Sequence, residues 1–187
     1  KNKFIKIIKN KKNIGKSYSI LQGIKKSKYN NVIMIDCDFP YFSSVKKIVL
    51  SLKKNYHLVL INRRLKESKL IANNLNLYQI FRYLLGSIFA YVNLSFLKIN
   101  VYGGDTQAGL KGFKKIKGFK KIKFISRKFF FDLELVVIYS KKKLNILSVK
   151  TNYVISKKSS IKIFNLKKNI EIIKELIRVV IFYKKIN

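Results

Sequence analysis

The sequence predicts one α/β domain over residues 1–187, with a mostly parallel sheet flanked by helices. Residues 31–36 (NVIMID) and 57–62 (HLVLIN) are near-continuous apolar runs, the pattern of strands buried on both faces. Segments with helical apolar spacing lie between and after them, which is the βαβ alternation of a parallel sheet. No Pro- or Gly-rich linker divides the 187 residues, a length suited to a single core.

Taken in order, KFIKIIKN (3–10) is β-rich and expected as a strand. GKSYSILQGIKKSK (15–28) opens after Gly15 and repeats apolar residues at Tyr18, Leu21 and Ile24, a helix. After the first buried strand, Ser43 and Ser44 are candidate caps for a helix through SVKKIVLSLKKN (44–55). The second buried strand is followed by a long aromatic-rich helical segment, 76–97, broken only by Gly86. VYGGDTQAGLKGF (101–113) is a glycine-punctuated loop leading into a short strand. The near-duplicate GFKKIK within 112–124 is a local compositional accident. FFFDLELVVIYS (129–140) reads as a helix, LNILSVKTNYVI (144–155) as strand, and IEIIKELIRVVIFY (170–183) as a closing amphipathic helix.

Charge gives two readings. The chain carries 42 Lys and Arg against 8 Asp and Glu, a net charge of +34. A basic surface gains affinity for nucleic acid by releasing counterions, so a nucleic-acid-binding protein is one function class to carry. The competing account is compositional drift, since the Lys are spread along the whole chain and the abundant Lys, Asn, Ile, Phe and Tyr share A/T-rich codons. The hydrophobic content of 48% excludes a disordered chain. One cysteine, Cys37, excludes a disulfide framework and suits a reducing cytoplasm. No uninterrupted apolar run reaches the roughly 18–20 residues of a spanning helix.

In so basic a chain the few carboxylates are informative. Asp36 and Asp38 end the first buried strand, where ligands bind in open α/β sheets. Residues i and i+2 of a strand face one side, so both carboxylates could converge on a hard divalent cation. Alternatively, one caps the next helix and the other pairs with a lysine. Asp105 follows two glycines and is either a ligand-facing acid or an Asx-turn residue. Asp132 and Glu134 are two apart in a predicted helix, so at most one need face a site. Glu67, Glu171 and Glu175 read as solvated charges, the latter two with i,i+3 partners Lys174 and Arg178. Cys37 should point away from its Asp neighbours into packing, and His57, the only histidine, into a structural role. The GKS at 15–17 suggests a P-loop, but the first glycine of that motif would fall on Asn10, whose Cβ suits a phosphate nest poorly.

In this order, NIGKSYSILQGI, MIDCDF, LINRR, GDTQAGLKGF and FFFDLEL resemble the family 2 glycosyltransferases of GT-A (Rossmann-like) fold. The likeness is nearest to the branch that moves a sugar onto dolichyl or undecaprenyl phosphate. It covers roughly residues 10–180, and the Asp-Thr-Gln segment is its most specific part. The family's Pro-x-Tyr-Asn-Glu strand and the strand after it are missing before Lys1, so a domain lacking its first one or two strands is expected. Pro40 stands where the family often has a polar residue near the metal, and Ile61-Asn62 replace Gly-Ser.

The resemblance implies a hexosyltransferase using a nucleotide-sugar donor and a polyprenyl phosphate acceptor, at the cytoplasmic face of a membrane. It implies Mg²⁺ or Mn²⁺ on Asp36 and Asp38, donor contacts from Lys16, Asp36 and Asp38, and a catalytic or orienting role for Asp105. Arg63, Arg82 and Gln107 are the acceptor or phosphate-binding candidates, since a guanidinium donates in a fork. The apolar faces of 76–97 and of the closing helix, with surrounding Lys, suit a membrane interface. An inactive relic of the family is the remaining alternative.

Overall fold

The structure, a computed structural model, describes residues 4–39, 41–71, 77–153 and 166–185, and among these not the side chains of 78, 82 and 166–168. The elements in chain order are α1 (Lys16–Lys26), β1 (Asn31–Ile35), α2 (Val45–Lys53), β2 (Leu58–Ile61), β3 (Lys69–Leu70), α3 (Leu77–Leu97), β4 (Leu110–Lys114), α4 (Phe131–Lys141), β5 (Ile146–Val149), β6 (Asn152–Tyr153) and α5 (Leu166–Lys185). β1, β4, β2 and β5 form one sheet in that order, and β3 pairs with β6 in a separate parallel pair.

The α/β class stands, but the sheet is mixed. β4 runs antiparallel to both β1 and β2, so β2–β5 is the only parallel pairing in the four-stranded sheet. β1, β2 and β5 still share one direction; β4, inserted between the first two, reverses the local ladder. β1 lies at the sheet edge with a single buried residue, Met34, so it is not buried on both faces. β2 is central and fully buried, as its apolar run requires.

Strand alternation divides the core. Leu58, Leu60 and Phe113 face one side, with residues of α1, α3, α4 and α5. Val59, Ile61, Leu110 and Val149 face the other, against Ile48 and Leu52 of α2. α4 is apolar nearly all round and is buried from Phe131 to Tyr139, the central helix of the larger layer.

Several local expectations change. Residues 5–10 carry no strand; Phe4, Ile5 and Ile7 are 97%, 68% and 79% exposed, and among the described residues this β-rich segment joins no sheet. Ser44 precedes α2 without a side-chain capping bond, and 42–44 form a 3₁₀ turn instead. Residues 144–155 split into β5 and β6 around Lys150 and Thr151, and 154–155 lie outside the described residues, as does Pro40. α3 is long and apolar enough to cross a membrane by length and composition, with a mean hydropathy of 1.4 over Gln79–Leu97.

Candidate active site

The C-terminal ends of β1 and β2 and the start of β4 meet at one end of the sheet, joined by the Asp36 N–H donating to the Gly109 carbonyl at 2.8 Å. Asp36 sits just past β1, and its carboxylate takes the Lys16 ammonium at 2.8 Å. The same ammonium lies 3.5 Å from Asp132 in the first turn of α4. Asp132 in turn lies 2.7 Å from the Lys111 ammonium of β4. The four side chains form an alternating row, Asp36–Lys16–Asp132–Lys111, running from half-exposed to wholly buried: Lys111 is 0% and Asp132 1% exposed.

Lys111 also donates to the Ala108 carbonyl, while neither oxygen of Asp132 receives a well-directed hydrogen bond. Asp132 is therefore held by charge proximity, which a low-dielectric surrounding strengthens. Burial works against the Lys16 charge, yet Asp132 and Asp36 outweigh it and hold the ammonium above its ordinary pKa. Glu134 points elsewhere, accepting from the backbone N–H groups of Ile125 and Ser126 at 2.8 and 2.9 Å. The helical geometry thus sends Asp132 to the site and Glu134 behind it.

A second unit stands beside the first. Asp105 is 4% exposed and is gripped by Arg63: Nε donates at 2.9 Å, Nη2 at 2.7 Å and the backbone N–H at 2.8 Å. Burial alone would raise the Asp105 carboxyl, but these bonds and the guanidinium charge hold it below the usual carboxylate range. Tyr41 and Tyr153, whose phenols are pushed up chiefly by burial, lie within reach of the Arg63 charge. The loop bearing Asp105 is fixed from α3: Asn93 donates to the Gly104 carbonyl at 3.1 Å and to Thr106 Oγ1 at 3.3 Å. Gly104 has φ +66°, and a Cβ there would come within 2.4 Å of the Ala90 carbonyl oxygen, so this approach needs glycine.

A third set of contacts builds the wall behind Lys16. Glu175 of α5 accepts from the backbone N–H groups of Arg127, Lys128 and Phe129 at 2.9, 2.8 and 3.1 Å. The carbonyls of Lys128 and Arg127 in turn accept from the N–H groups of Ser17 and Tyr18 at the start of α1, each at 3.0 Å. A Cβ on Gly15, φ +130°, would meet the Arg127 carbonyl oxygen at 2.6 Å. Glu175 is thus a structural anchor and not the solvated charge expected. The P-loop alternative ends here. The α1 N-terminus, where phosphate would sit, is filled by carbonyls, and Ser17 Oγ is buried between Ser126 Oγ and the Phe131 N–H.

The strand argument for Asp36 and Asp38 fails on geometry. β1 ends at Ile35, and the Phe39 N–H donates to the Asp36 carbonyl at 2.9 Å with Phe39 at φ +50°, so 36–39 form a turn. Asp36 faces Lys16, while Asp38 is exposed in the turn, as is Cys37, which is not packed inside. Gln107 is exposed, with Nε2 donating to Thr106 Oγ1 at 3.2 Å. Arg82 lies on α3, and its side chain is outside the described residues. His57 lies at the other end of the sheet, just before β2. Lys16, Asp36, Arg63 and Asp105 therefore gather at one sheet end, with Asp38 and Gln107 on its solvent side.

Among the described residues no three His, Cys, Asp or Glu side chains cluster as a metal site. Two hard carboxylates are what the β1 turn offers, with a lysine now on one of them. Such a pair fits Mg²⁺ or Mn²⁺ only as a cation that brings phosphate and water for its remaining positions. Lys111, Tyr41 and Tyr153 were missed from the sequence; a lysine inside the apolar strand LKGF was the available signal for the first. No protein-family model matches the chain, and no curated protein matches it.

Proposed function

We propose that the chain is a glycosyltransferase domain of GT-A type. In this reading it moves a sugar from a nucleotide-sugar donor to an anionic acceptor, a polyprenyl phosphate. The support is one observation: Lys16, Asp36, Arg63, Asp105 and Asp132, from five segments separated in sequence, converge on one end of the sheet. Those are the segments whose motifs resemble the family.

In the transfer, the bond from the sugar's anomeric carbon to the donor diphosphate breaks. The nucleoside diphosphate leaves with the electron pair as an acceptor phosphate oxygen bonds to that carbon. Asp38, in the turn just after the Lys16-paired Asp36, would hold the divalent cation with Asp36 beside it, and that cation would neutralise charge on the departing diphosphate. Lys16 carries a fixed positive charge at the same carboxylate and is the residue to meet the donor phosphates. Arg63 holds Asp105 through Nε and Nη2, and its guanidinium is the fork-shaped donor proposed for acceptor phosphate. Both Asp105 oxygens are taken by Arg63, so in this reading Asp105 acts by orienting the guanidinium. An acceptor phosphate, already ionised, needs no base.

The experiment is calorimetric titration with a panel of uridine- and guanosine-diphosphate sugars, with Mg²⁺, Mn²⁺ or chelator. Metal-dependent binding that Asp38→Ala abolishes, with an unchanged circular dichroism spectrum, is the expected result. Absence of any nucleotide-sugar binding, together with salt-sensitive RNA or DNA binding that survives Asp36→Ala and Asp38→Ala, overturns it.

A further inference from the structure

α5 has two apolar faces, and among the described residues only one is covered. Ile172, Leu176, Val179 and Tyr183 enter the core at 9%, 9%, 0% and 4% exposure. Ile170, Ile173, Ile177 and Ile181 form a second stripe, 51%, 52%, 52% and 49% exposed. At about 100° per residue the second stripe spans roughly 80° of the helix surface, centred about 135° from the first. A helix that only had to close the core would carry polar residues there.

The charges around the stripe are mainly cationic. Lys174, Arg178 and Lys185 follow its flank, and Lys184 stands at its end; all four are exposed. Of the helix's two carboxylates, Glu175 is spent on the 127–129 backbone, and Glu171, on the same flank as Arg178, pairs with Lys128. Beside the stripe, α5 with Lys123 and Ile125 lines a shallow open groove of about 590 Å³, Ile177, Ile181 and Phe182 among its apolar lining. Lys123 Nζ lies 5.9 Å from the Phe182 ring centroid.

We propose that this face of α5 docks on the surface of a bilayer carrying anionic lipid, its isoleucines entering the acyl boundary and its cations meeting headgroups. An apolar stripe beside a cationic flank is the composition of a helix lying in a membrane interface. Each nearby Lys or Arg adds to the attraction of anionic headgroups. A second copy of the chain is the poorer occupant, because it brings a like set of cations from a chain of net charge +34. The proposal rests on the lipid-acceptor reading above. The two fail separately, since vesicle binding is read without donor and donor binding without vesicles.

The test holds charge constant, because a chain this basic meets anionic vesicles everywhere. The triple variant Ile173→Ser, Ile177→Ser and Ile181→Ser is compared with wild type on phosphatidylcholine vesicles with and without phosphatidylserine. Partitioning onto the anionic vesicles should fall about tenfold or more, with unchanged circular dichroism. The chain has no tryptophan, so Ile177→Trp is a sole indole, and its emission should shift to the blue on anionic vesicles. Tyr29→Trp, at a position 79% exposed elsewhere, should not shift. Equal partitioning of the triple variant and wild type, equal shifts at both indoles, or a dimer dissolved by the serine substitutions would each overturn the proposal.

Discussion

Lys111→Met puts the site's electrostatics to a quantitative test. The Lys111 ammonium and the Asp132 carboxylate are both buried and 2.7 Å apart. Methionine fills a similar volume, but it leaves Asp132 with only the Lys16 ammonium at 3.5 Å. Removing one partner of a buried pair costs about 3–5 kcal/mol, against a whole-domain stability of about 5–15 kcal/mol. With a urea slope of about 1–3 kcal/mol per molar, the unfolding midpoint should drop on the order of 2 M. Urea melts followed by circular dichroism measure it. The companion variant Lys111→Met with Asp132→Leu removes both charges and should return to within about 1 kcal/mol of wild type, or exceed it. A single variant as stable as wild type, or a double variant as weak as the single, would refute the account of the alternating row.

Two further outcomes follow from the same contacts. Because the Asp105 carboxyl is held below its ordinary range, its contribution to stability is present above the unfolded-state value near pH 4 and is lost as pH falls through the depressed one. Melts of wild type should weaken across that acid window, and Asp105→Asn should remove that part of the slope while lowering stability at neutral pH. Glu175→Ala frees three backbone N–H groups, so hydrogen exchange at Arg127, Lys128 and Phe129 should accelerate by about tenfold or more, with faster tryptic cleavage after Arg127 and Lys128. Unchanged exchange there would mean that the segment is held by something other than α5.

Periodicity made the helices and β2 legible, because those patterns depend only on neighbours along the chain. Strand direction does not, and β4 carries no mark in LKGF that it must run against β1 and β2. The segment 4–10 shows the reverse error: it has β-propensity, yet no strand forms there among the described residues. The acids at 36, 105 and 132 stood out by their scarcity in so basic a chain. Their partners did not: a lysine within a strand reads as solvent-facing until both faces of the sheet are known to be covered. The turn at 36–39 depends on a left-handed Phe39, and DCDF contains neither glycine nor asparagine to announce it.

The contact between Gly104 and Ala90 makes α3 a ruler. No side-chain atom separates the acid-bearing loop from the backbone of the helix, and Asn93 ties the two. The outer row of α3, with Leu84, Ile88 and Tyr91 at 53%, 60% and 68% exposure, therefore stands one helix width, about 10–12 Å, from that loop. Whatever surface meets those residues is held at a fixed stand-off from Asp105.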